Sequence, residues 1–198
     1  MKTRNFFFIL LVALFLSGCV VYSFYPLYTE KDLFPNNILT GNWIDGDSTE
    51  WKFEHPYKGK ELPENLDSTS YVLKLKDKNN KESRFSVHVI KLGGHYFLDF
   101  YLEDFLENEE LDLAAFHIIP VHTFAKLKFT SDQLHINWFD QDWLGKLIKE
   151  NKIRIHHENN GDYILLTALP KELQKFVTKY VNSEEAFKEG IEAELRRK

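Results

Sequence analysis

The sequence predicts a mainly β fold: an antiparallel meander of about eight strands closing into a β-barrel, with one short inserted helix and C-terminal helices. Three observations predict it. From Gly41 onward, apolar and polar residues alternate with period two in run after run; polar turns separate the runs; and helical apolar spacing is confined to short segments late in the chain. Alternation marks strands with one buried face, and closing such a meander removes its two open edges.

The runs follow in order. Trp51 and Phe53 alternate with Lys52 and Glu54; Tyr71, Leu73 and Leu75 with Val72, Lys74 and Lys76; Phe85, Val87 and Val89 with Ser86 and His88. Tyr96, Leu98 and Phe100 continue in phase, followed by Ala125, Leu127 and Phe129, then Leu134, Ile136 and Trp138. Ile153 and Ile155 flank Arg154, and Tyr163, Leu165 and Thr167 form the last run. The turns are polar: Lys78-Asn79-Asn80-Lys81, Gly93-Gly94, Ser131-Asp132 and Asn159-Asn160-Gly161-Asp162. The inserted helix covers Asp142 to Lys149, with Asp140-Gln141-Asp142 as its cap. A second helix runs from Pro170 to Tyr180, with proline in its first turn. A third is expected from Ser183, on an apolar stripe of Phe187, Ile191 and Leu195.

The first residues carry a different signal. Lys2 and Arg4 precede an apolar run, Phe6 to Leu16, and Ser17-Gly18 lead into Cys19. A basic start, a short apolar stretch and small residues are the pattern of a secretory signal peptide. The run is eleven residues, about half of the roughly 20 that a membrane span requires. Leu16-Ser17-Gly18-Cys19 resembles the lipobox of bacterial lipoproteins. That resemblance implies cleavage before Cys19, lipidation of its sulfur by chains such as palmitate, and acylation of the new amine. It also implies a sorting rule: an aspartate after the cysteine retains such proteins in the inner membrane. Val20 stands there, so the outer membrane, facing the periplasm, is expected. Cys19 is the only cysteine, so no internal disulfide can form.

The domain organisation expected is therefore 1–18 as signal peptide, 19–40 as lipidated tether, 41–169 as barrel, and 170–198 as helices packed on the barrel. Tyr22, Phe24, Tyr25, Leu27 and Tyr28 make the tether too apolar for a free linker, placing it against the domain or near the bilayer. The mature chain has 180 residues, enough for one core. Without Lys2 and Arg4 it carries 23 basic and 30 acidic side chains, a formal charge of −7. This argues against nucleic acid and against electrostatic attraction to anionic lipid.

Gly41-Asn42-Trp43 at the start of the meander resembles the Gly-x-Trp signature of lipocalins, and the order of elements is similar to theirs. The resemblance implies a tryptophan packed at the barrel end, a late arginine, for which Arg154 is one option, and small apolar ligands. Gly161-Asp162-Tyr163 is only loosely similar to the family's Thr-Asp-Tyr turn.

Polar constellations are few. The two-residue loop Gly93-Gly94 pairs His88 with Asp99 across its hairpin, and such a pair orients the imidazole. It is either an orienting dyad or a surface pair. His117 and His122 flank Pro120, near Glu107, Glu109, Glu110 and Asp112; zinc accepts two histidines and a carboxylate. An offset of five residues puts the imidazoles on opposite faces of a strand unless Pro120 kinks it. His156 and His157 are adjacent and point apart. Glu103 to Asp112 has six carboxylates in ten residues but no glycine for a calcium-binding turn. Phosphate loops, nucleophile elbows and His-Glu-x-x-His are absent.

The function expected is a membrane-anchored periplasmic lipoprotein of lipocalin-like type that binds a small apolar ligand or lipid. Tyr71, Leu73, Val87, Val89, Leu98 and Phe100 would line or support the barrel interior. A non-catalytic envelope protein-interaction module is one alternative. A metal-dependent hydrolase using His88, Asp99, His117 and His122 is another. No catalytic residue, metal or cofactor is assigned.

Overall fold

The computed structural model describes residues 20–56, 69–103, 117 and 119–198. The leader, Cys19, Glu107, Glu109, Glu110 and Asp112 lie outside the described residues. Among the described residues there are eleven strands: β1 (Tyr22–Ser23), β2 (Gly41–Ile44), β3 (Glu50–Glu54), β4 (Ser70–Lys76), β5 (Glu82–Leu92), β6 (His95–Leu102), β7 (His122–Phe129), β8 (Gln133–Trp138), β9 (His157–Asn159), β10 (Ile164–Leu166) and β11 (Glu192–Arg197). The described residues also form the α-helices α1 (Gln141–Lys149) and α2 (Pro170–Tyr180).

Eight strands close into an antiparallel ring. β2 to β8 pair consecutively, and β11 fits between β8 and β2. The odd positions of β3, β4 and β5 face inward with Leu98 and Phe100 of β6, Ala125 and Leu127 of β7, and Leu134 and Ile136 of β8. Gly93 and Gly94, with φ of 55° and 82°, make the tight turn that twists with its strands.

The end of the chain departs from expectation. Ser183 begins only a one-turn 3-10 segment, Glu184–Ala186, and residues 192–197 are the strand that closes the barrel. Ala193 and Leu195 join the inner core, while Glu192, Glu194 and Arg196 are exposed. A ring of β2 to β8 alone would leave β8 and β2 as open edges, and pairing both outweighs any helical preference of this short stretch. The region 170–198 is thus one helix followed by a barrel strand. Residues 157–166, expected within the barrel, lie outside the ring. Ile153 to Ile155 is not a strand, and β9 and β10 form a side fin: β10 runs parallel to β1, and β1 pairs with the first residues of β7. In β10 the buried positions are Ile164 and Leu166, so Tyr163 and Leu165 take the other face.

A second core covers the outside of the wall. Ile90, Leu92, Phe97 and Phe124 point outward and meet Leu144 of α1 and Leu173, Phe176 and Val177 of α2. Phe139, Trp143, Phe176, Tyr180 and Phe187 form one aromatic cluster there. Asp140 caps α1, accepting from the backbone N–H groups of Asp142 at 2.8 Å and Trp143 at 3.1 Å. Pro170 occupies the first turn of α2. The tether packs against the domain: Val21, Leu27 and Leu39 are buried. Among the described residues no helix is long and apolar enough to cross a membrane.

Candidate functional site

The six residues expected to line the barrel, Tyr71, Leu73, Val87, Val89, Leu98 and Phe100, all face the interior and belong to one cluster with Trp43, Trp51, Phe53 and Trp138. None is more than 5% exposed. The rings touch: Phe53 lies edge-on to Tyr71, and Phe100 is 5.1 Å from Trp138. Tyr71 donates its hydroxyl to the backbone oxygen of Asn36, and burial pushes its pKa up to about 12. Trp43 is buried and donates Nε1–H to the Leu39 carbonyl at 2.7 Å. The guanidinium over its ring, at 4.2 Å, belongs to Arg197 of the closing strand, not to Arg154.

Three of the polar candidates, His88, Asp99 and His122, gather on the outer face of the wall. The Gly93-Gly94 hairpin has the expected register, with His88 opposite Asp99 and Val87 opposite Phe100. A third strand adds what the hairpin alone could not show: β7 pairs with β6 and brings His122 opposite Tyr101, beside Asp99. His122 Nδ1 lies 2.7 Å from Asp99 Oδ1, and its ring stacks on Tyr101. Asp99 is 1% exposed, and its Oδ2 accepts the Leu27 backbone N–H at 2.8 Å. The Tyr28 ring stacks on His88 at 4.4 Å, its hydroxyl 3.4 Å from Nε2. Gln174 of α2 reaches the same segment, donating to the Leu27 carbonyl and to Asp32. Burial raises the Asp32 pKa, but hydrogen bonds from Thr29 and Gln174 and the charge of Lys31 lower it further, so it ends below its ordinary 3.8.

This geometry is that of a clasp. Asp99 spends one oxygen on the tether backbone and one on His122, and among the described residues no serine, threonine or cysteine hydrogen-bonds to His122. His117 is exposed. Among the described residues the histidine and carboxylate ligand atoms that converge are those of His135, Glu192 and Glu194, on the outside of β8 and β11; His117 and His122 are not among them. Both Glu192 and Glu194 are ion-paired with His135, and the group is open to solvent. His156 pairs with Glu172 and His157 with the Ile155 carbonyl, so the adjacent rings do point apart.

Among the described residues, clefts open outside the ring. One, about 630 Å³, lies over the charged outer wall at Lys52, Glu54, Lys74 and Arg84. Another, about 560 Å³, lies against the fin and is lined by Tyr22, Val121, Glu158, Asn160, Tyr163 and Leu165. No protein-family model, no curated protein and no solved structure matches the chain.

Proposed function

We propose that this chain is a lipid-anchored protein of the bacterial envelope that acts by binding, not by catalysis, and that its ligand is a small apolar molecule or a lipid. Cys19 carries the lipid, and the outer membrane is the expected site. The observation behind the ligand class is the closed barrel with an aliphatic and aromatic inner wall. An eight-stranded ring is just wide enough to be filled by its own side chains or to hold one small ligand. Arg197 over Trp43 supports the lipocalin-like reading, since that resemblance called for a late arginine.

A second reading rests on a specific observation too. The inner side chains are buried against one another, as in a solid core, which favours a scaffold that presents surfaces to an envelope protein. Native mass spectrometry of residues 20–198, purified gently from a periplasmic fraction, separates the two. A bound mass lost on mild activation establishes the ligand and its class. A clean apo mass, repeated after incubation with envelope lipid extract, removes the ligand reading and leaves the scaffold.

A further inference from the structure

We propose that the outer face of the β1–β10 fin rests on the lipid bilayer, so that the domain is held to the membrane in one orientation. This deepens the reading of Cys19 as the lipid attachment point and rests on it. The reasoning starts from chain length. Val20, one peptide bond and about 3.8 Å from Cys19, is already bridged to Asp140, and Val21 is buried. No slack separates the lipidated residue from the folded domain. Whatever surface surrounds Val20 must therefore meet the headgroups.

That surface carries the rings of Tyr22 and Tyr163 and the side chains of Val121 and Leu165, with Glu158, Asn159 and Asn160 at its edge. Val21 and Ser23 are buried, so Val20 and Tyr22 take the opposite face, and Phe24 and Tyr25 are exposed in the bend that follows β1. Tyr22 lies opposite Leu165 on one side and Thr123 on the other. Tyr163 packs edge-on against Tyr22 at 6.3 Å and is 56% exposed; Phe24 is 50% exposed and stacks edge-on with Tyr25. Ile119, 71% exposed, precedes the Val121 that lines the same cleft. Several large exposed apolar side chains on and beside the fin mark an interaction surface. Tyrosine suits the headgroup layer, where its ring is apolar and its hydroxyl stays wet. The mature chain's net negative charge makes the contact depend on these rings and not on attraction to anionic lipid.

The test uses the full chain, expressed with its leader, extracted and reconstituted in vesicles of phosphatidylethanolamine and phosphatidylglycerol. The mass of the N-terminal peptide first reports whether Cys19 is acylated. With Cys19 blocked by lipid, a single new cysteine carries an environment-sensitive fluorophore: Asp162→Cys beside the patch, or Ser131→Cys at the other end of β7. Quenching by doxyl-labelled lipid should be several-fold stronger at position 162 than at 131. The double variant Phe24→Ser and Tyr163→Ser, checked for an unchanged melting transition, should lose that difference while remaining on the vesicles through its lipid. Equal quenching at both positions overturns the docking face and leaves the anchor standing. A label at 162 unquenched by lipid but shielded from aqueous iodide in whole envelopes gives the face to a protein and also overturns it. An unmodified Cys19 peptide overturns the anchor, and the docking face falls with it.

Discussion

Replacing Asp99 with alanine removes a β6 side chain that hydrogen-bonds to both the tether and β7. Both of its oxygens are engaged, with the Leu27 N–H at 2.8 Å and His122 Nδ1 at 2.7 Å, and Asp99 and Leu27 are buried. A hydrogen bond to a charged group contributes about 1.5–3 kcal/mol, and a buried donor left without a partner costs about 1–3 kcal/mol. Allowing for overlap between these, Asp99→Ala should destabilise by about 3–5 kcal/mol. At this chain length that lowers the melting temperature by roughly 10 °C. Asp99→Asn keeps the shape and one carbonyl acceptor and should recover about half of the loss. Urea unfolding followed by tryptophan fluorescence reads the stability, and amide exchange at Leu27 reads the clasp itself. The reasoning is refuted if Asp99→Ala stays within about 1 kcal/mol of the parent and the Leu27 amide is equally protected.

Other expectations follow from the closing strand and the core. Deleting residues 192–198 opens one edge of β8 and one edge of β2, and the cooperative unfolding transition should disappear from a urea titration. The milder Leu195→Ala, at a side chain 1% exposed, should cost about 2–4 kcal/mol while keeping a single transition. A Cβ on Gly190 would sit 2.3 Å from the Trp138 carbonyl oxygen, so Gly190→Ala should cost about 1–3 kcal/mol by calorimetry. Tyr71 ionises near pH 12 in the folded chain and near 10 when unfolded. The folded state therefore holds a proton that the unfolded state has lost, and stability should fall as pH rises from about 10 to 12. A spectroscopic titration showing every tyrosine ionising with a midpoint near 10 before any unfolding contradicts that burial.

Much of the barrel was legible because its strands alternate cleanly. Val87, Val89, Leu98 and Phe100 kept their phase, and the Gly93-Gly94 loop fixed which residues face each other. The closing strand was illegible for a physical reason. Its inward positions are Ala193 and Leu195 only, while Phe187, Ile191 and Leu195 are spaced four apart and imitate a helix stripe. The pairing that selects the strand comes from β2, far away in sequence. For residues 163–167 alternation predicts the opposite phase, because Tyr163 and Leu165 look like core residues yet face outward. At the clasp, a local hairpin rule placed His88 across from Asp99. The partnership with His122 depends on the β6–β7 register, which a long connection hides, and the Leu27 contact is through backbone and leaves no side-chain signal. Tyr22, Phe24 and Tyr25 are legible in the sequence as too apolar for a free linker; that Tyr22 pairs with Leu165 is not, because β10 lies far away in the chain.

Ring closure by β11 also sets the order in which the molecule can be made. Trp43 of the first barrel strand pairs with Arg197, a separation of about 150 residues that must be bridged before the last edges are sealed. Translation delivers the chain from its N-terminus, so β2 and the strands after it emerge long before their final neighbour. Until then a partly assembled sheet offers open hydrogen-bonding edges and an exposed aromatic lining to anything nearby. Non-local closure of this kind makes for slow folding. The interval between the emergence of β2 and the arrival of residues 192–197 is where a holding factor would matter most, and where aggregation would begin if none were present.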